Sequence, residues 1–263
     1  LIKYRALIDT YNARNCAHDA VTVYEHMIEL APDDLDARAE LVALLRETGR
    51  IDEATQQAIV VANTAFRLGQ TSRALAEFEA IHTWAAPSAT LHIEHGRALL
   101  KLERWNDAYE QFRQATGIAP HNTVALALES LTLALIEQPS ARLWDAFARL
   151  LGQLTDDAQQ HAAVQAEYRL ALLLADRPVH HFLLGLLQQA AQQHDLALLS
   201  LEQALSLVVM DERPSFAPVL VHQAMATSYL AQKQTPQTLD HLYTVQRLLR
   251  EQPMPAASPH AFA

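Results

Sequence analysis

Histidine and carboxylate side chains are the groups in this chain that could do chemistry. The sequence holds thirteen His and thirty Asp plus Glu in 263 residues. His92 and His95 stand about one helical turn apart, and His180 and His181 are adjacent. A metal centre needs three or four converging ligands, with carboxylates or thiolates beside the imidazoles. No HExxH pattern occurs. The carboxylate groups Asp33-Asp34-Asp36, Glu77 with Glu79, Asp156-Asp157 and Asp211-Glu212 fall mostly where helices begin. Negative charge is favoured there by the helix dipole, so capping explains them better than acid–base catalysis. There is no Gly-rich phosphate loop and no GxSxG elbow. Cys16 is the single cysteine. It rules out a disulfide framework, points to a reducing compartment such as the cytoplasm, and reads as an idle thiol. The expectation is therefore a chain with no catalytic residue, no metal and no cofactor.

The elements that position these groups are helices. From Ala89 to Pro120, Leu91, His95, Leu99 and Leu102 recur at steps of three and four, the stripe of an amphipathic helix. Ser88 precedes it as an N-cap. A second stripe holds Trp105, Ala108, Tyr109, Phe112 and Ala115, and it stops at Gly117 before Pro120. Neither helix can bury its stripe alone. They must pack on each other and on neighbours, which is the logic of a solenoid.

This stretch resembles one tetratricopeptide repeat (TPR), a 34-residue helical hairpin with fixed large and small positions. Numbered from Ala89, Gly96 falls on the small eighth position, Ala108 on the small twentieth, Phe112 on the aromatic twenty-fourth and Pro120 on the thirty-second. His92 and His95 depart from the pattern. Residues 1–34 fit the same frame through Tyr4, Leu7, Tyr11, Ala20, Tyr24, Met27 and Pro32. The next unit is 35–68, with Leu41, Leu45, Gly49 and Ala54. Ala74, Phe78 and Ile81 mark a further second-helix pattern, in the unit 55–88. It follows Ala54 by 20 residues instead of 34, so the register slips there. The stretch Ile51–Leu68 then reads as one long helix shared between two repeats. Residues 123–177 are degenerate helices. The repeat 178–211 is clear again, through Leu184, Gly185, Ala197, Leu201 and Ala204, and a final hairpin covers 216–250.

The reading is an all-α, right-handed α-solenoid of about fourteen helices over residues 1–252. The tail 253–263, with its three prolines, reads as disordered or a linker.

Net charge is −10 and no Lys/Arg cluster occurs, which argues against nucleic acid as a partner. No apolar run approaches the roughly 18 residues of a membrane span, so no membrane insertion is expected. The resemblance implies a non-enzymatic scaffold that binds a protein or peptide, and self-association is compatible with such a surface. The alternative is a regulatory or sensor module of a larger signalling or transcription-regulating protein.

In the family, the first helix of each hairpin lines a concave groove. Carried over by position, the groove takes Arg5, Asp9 and Asn12 from the first repeat and Arg46 from the second. It takes Ile93, Arg97 and the adjacent Lys101 from the repeat at Ala89. The repeat at Pro178 gives Phe182, Leu186 and Gln189, and the last hairpin gives Gln223. His92, His181 and His222 share the fourth position, where a ring packs inside the repeat. The Lys/Asn clamp with which chaperone-binding members hold a C-terminal carboxylate is not matched.

Overall fold

A computed structural model describes residues 2–14, 16–136, 139–210 and 217–251, without the side chains of Ile2, Asp9, Asn12 and Met210. The expected tail 253–263 lies outside the described residues. Within them the chain is helical throughout, in fourteen helices. It divides into two compact units, Leu1–Ala98 and Leu99–Ala263.

The first unit contains α1 (Ile2–Ala13), α2 (Ala17–Leu30), α3 (Leu35–Glu47), α4 (Ile51–Arg67), α5 (Thr71–Trp84) and most of α6 (Ala89–Lys101). One core joins α1 to α4 through Ile8, Tyr24, Met27, Leu41, Leu45 and Ala54. A second joins α4, α5 and α6 through Ala58, Ala62, Phe78, Ile81, Leu91 and Ala98. Helix α4 packs on both α3 and α5. It is the long shared helix that the 20-residue slip implies.

The second unit continues with α7 (Trp105–Ile118), α8 (Thr123–Ile136), α9 (Ala141–Gln153) and α10 (Ala158–Leu174). It ends with α11 (Pro178–Ala190), α12 (His194–Met210), α13 (Pro218–Ala231) and α14 (Thr235–Glu251). Helix α8 is its centre. It packs against α7, α9, α10 and α11, and every residue from Ala125 to Leu135 is buried. A helix that is apolar around its whole circumference must be covered on all sides, and ALALESLTLAL is such a sequence.

Five helix-to-helix turns share one geometry. Gly49, Gly69, Glu103, Gln192 and Lys233 have positive φ, at 76°, 77°, 57°, 57° and 61°. In each turn the following residue donates its N–H to the carbonyl five residues back: Arg50 to Leu45, Gln70 to Ala65, Arg104 to Leu99, Gln193 to Gln188 and Gln234 to Tyr229. This left-handed cap satisfies carbonyls that the helix end would orphan. The next helix starts two residues after the left-handed one. Side-chain caps open other helices. Asp34 accepts from the Ala37 N–H at 3.0 Å, Asn122 from Ala125 at 3.0 Å and Asp157 from Gln159 at 2.8 Å. Asp34 and Asp157 are caps, as their positions predict, whereas Glu77 and Glu79 stand inside α5, whose first turn holds no acidic residue.

Inside the hairpin α11–α12, Gly185 lies against Ala197 and Leu201. A Cβ on Gly185 would stand 2.9 Å from Leu201 Cγ and 3.4 Å from the Ala197 carbonyl oxygen. The small eighth and twentieth positions of the repeat are therefore a real close approach of two helices.

Candidate functional site

The residues assigned to a groove end in different environments. On the first unit, Arg5 and Arg46 are exposed, and the Arg46 guanidinium lies 4.5 Å over the Trp84 ring. Stacking uses one face of the cation and is compatible with in-plane donation to a carboxylate. Arg97 is half-buried and donates to Glu94 at 2.7 Å, while Asn63 of α4 donates to the other Glu94 oxygen at 2.8 Å. Ile93 is only 7% exposed. Asp9 and Asn12 have side chains outside the described residues.

On the second unit, Lys101 and Gln223 are exposed and Leu186 is half-buried. Phe182 is 4% exposed and meets Trp144 of α9 edge to face, with centroids 6.2 Å apart. Gln189 donates to the Ala224 carbonyl at 2.6 Å and to Ser228 Oγ at 2.7 Å, which ties α11 to α13. Ile93 and Phe182 thus belong to the core and not to an open face. For Phe182 the reason is that α9 brings Trp144 over the position that a regular array would leave open. The family positions are open at two helices. On α3, Asp36, Ala43 and Arg46 are exposed, and on α13, Gln223, Thr227 and Leu230 are exposed, Leu230 at 65%.

An open cleft of about 450 Å³ lies between α2 and α3. Ala17, Tyr24, Ala43 and Leu44 form its apolar part, and Glu40 and Glu47 its acidic rim. The Tyr24 hydroxyl donates to Glu40 at 3.1 Å.

The histidines form ring contacts more than polar sites. His95 stacks on Phe78, with centroids 5.0 Å apart and planes 6° from parallel. His82 of α5 bonds His95 through Nε2 and Nδ1 at 3.2 Å and meets the His92 ring at 4.8 Å. Burial, then the nearby His92, holds the His82 pKa below its usual value. His222 and His241 approach through their Nδ1 atoms at 2.8 Å, and His241 stacks on Tyr229 at 5.3 Å. His181 instead bonds Asp176 at 2.7 Å. Among the described residues, no group of three His, Cys, Asp or Glu side chains could hold a metal ion.

Sequence reasoning missed the polar groups inside the second unit. Glu129 of α8 is buried and accepts from Arg149 of α9 at 2.8 Å. Ser130 and Tyr168 share a buried hydrogen bond of 2.6 Å. Burial raises the Tyr168 pKa far above its usual value. His180 is fully buried, with Nδ1 3.1 Å from the Ala175 carbonyl, and burial pushes its pKa down to about 4. A Glu in an otherwise apolar helix is the sequence signal that Glu129 needs a cation from another helix.

Successive packed helices, left-handed caps at the shared turn, and the Gly185–Ala197 approach give the chain a TPR-like, all-α helical-repeat fold. No protein-family model matches the chain, and neither does any curated protein. Among solved structures it is similar to MamA from Desulfovibrio magneticus, at 15% identity over 76% of this chain and 97% of that one, with a TM-score of 0.36. It is similar to a tetratricopeptide repeat protein from Parabacteroides merdae at 13% identity, covering 86% and 93%, with a TM-score of 0.36. BtubC from P. vanneervenii gives 14% identity, 91% and 96% coverage and a TM-score of 0.39.

Proposed function

We propose that this chain is a non-enzymatic scaffold that binds a peptide or protein segment on the first-helix faces of its hairpins. The observation that carries this reading is the open face of α13, where Gln223, Thr227 and Leu230 are exposed while Gln189 holds the helix to α11 from the other side. A face offered by a packed helix binds at little ordering cost to the scaffold. The face mixes amide, hydroxyl and aliphatic groups, and it suits a segment with alternating polar and apolar side chains. A second face, on the first unit, is carried by Arg5, Asp36, Ala43 and Arg46. Its cations suit acidic side chains, which guanidinium groups bind in bidentate fashion.

Placing a photo-crosslinking amino acid at position 223 or 5, and separately at the exposed position Thr83, tests this. Adducts at 223 or 5 with none at 83 support the proposed faces. Adducts at 83 alone would overturn them.

A further inference from the structure

We propose that the His222–His241 contact is an acid-sensitive latch that holds helix α14 on α13 and releases it when both imidazoles carry a proton. The geometry is a direct Nδ1 to Nδ1 approach of 2.8 Å between two helices. At that distance one nitrogen must carry a hydrogen and the other must present a lone pair. Two neutral rings satisfy this. One added proton also satisfies it, because the imidazolium donates to the remaining neutral ring. A second proton puts hydrogen on both Nδ1 atoms. The bond is then lost, and two cations face each other across the helix interface.

The surroundings set the balance. Asp240 of α14 faces both rings and favours protonation, as does Glu202 of α12 toward His241. Arg247 of α14 opposes it at His222. From α13, Tyr229 stacks on His241 and adds no charge near neutrality. From α11, Gln189 is neutral and bonds only α13. Burial comes first for both rings, and both take up protons less readily than free histidine.

Helix α14 is the element such a contact can control. Thr238 is its one buried residue among those described, so little apolar burial holds it down. Elements with few buried contacts open at low free energy. Helix α13 has an independent tether through Gln189 to Ala224 and Ser228, so it stays when α14 leaves. Release would bare the side of α13 that carries His222 and Tyr229, whose rings meet His241 in the closed form. The device does not depend on what α13 binds.

Hydrogen–deuterium exchange of the full chain tests it, with labelling times scaled for the intrinsic pH dependence of exchange. Between about pH 7.5 and pH 5, peptides from 235–251 should lose protection about tenfold or more, the factor that one pH unit of single-proton linkage gives. Peptides from 178–190 should change less than about twofold. His241→Phe keeps the ring on Tyr229 and cannot be protonated, and its α14 protection should respond to pH much less than that of the parent, through His222 alone. If circular dichroism shows that variant unfolded, His222→Phe is read the same way. Unchanged α14 protection in the parent chain overturns the proposal. So does an equal pH response in a folded variant, or loss of protection in α11 together with α14.

Discussion

Gly185 faces Leu201 so closely that a Cβ would stand 2.9 Å from both Leu201 Cγ and Cδ2. Leu201 is fully buried, so moving it aside disturbs the packing around it. Replacing a mid-helix glycine by alanine ordinarily gains about 1 kcal/mol. Overpacking a tight core costs roughly 1–3 kcal/mol and outweighs that gain here. Gly185→Ala should therefore lower the melting temperature. Gly152→Ala, in α9 with no atom within 4 Å of its Cβ, should raise it. Thermal melts of the two variants check the sign of each effect.

Three of the five left-handed turn residues are not glycine. Glu103, Gln192 and Lys233 hold φ between 57° and 61°. An L-residue with a Cβ is strained in this region by roughly 1–2 kcal/mol, and glycine is not. Part of that relief is lost to the greater freedom of glycine in the unfolded chain. Lys233→Gly should stabilise the last hairpin by about 0.5–1 kcal/mol, read from the midpoint of urea unfolding.

Burial keeps His180 neutral, with its pKa down at about 4 against an ordinary 6.5. Above pH 6.5 neither the folded nor the unfolded chain binds a proton there. As pH falls from 6.5 toward 4, the unfolded chain takes up a proton that the folded one refuses, so stability falls. The slope reaches about 1.4 kcal/mol per pH unit within that window. His180→Phe should flatten the pH dependence of the urea midpoint between those values. A parallel profile would show that His180 does not titrate in this way.

Arg149 and Glu129 form an asymmetric pair, with side chains 53% and 5% exposed. Arg149→Ala leaves the Glu129 carboxylate buried without its cation, which should cost about 1–3 kcal/mol. Arg113→Ala removes an exposed partner of Glu110 at a similar 2.7 Å and should leave the melting temperature unchanged. Melts of the two variants separate burial from mere proximity.

The repeat frame was legible because its small positions answer to a steric demand that any helical hairpin makes. Gly185 and Ala197 sit where that demand is greatest. The 20-residue slip was legible too, and it appears as the spacing between the turn residues Gly49 and Gly69. Which faces stay open was not. A template position says which side of a helix a residue occupies, and it cannot say what packs there. Phe182 is covered because α9 delivers Trp144, and α9 belongs to the stretch where the pattern had faded. Glu129 was missed for a related reason. Its partner Arg149 is twenty residues away, and only the packing of α8 at the centre of the second unit makes the pair necessary.

In the proposed function, open first-helix faces hold a protein partner. Affinity capture from source lysate tests it most directly, comparing the parent chain with Arg46→Glu and Leu230→Glu combined, after circular dichroism shows that the variant folds. Both positions are exposed, so the substitutions change the faces and not the core. A protein captured by the parent should be retained at least about tenfold less by the variant, the equivalent of 1.4 kcal/mol of binding. Equal capture by both chains, or no partner for either, would contradict it.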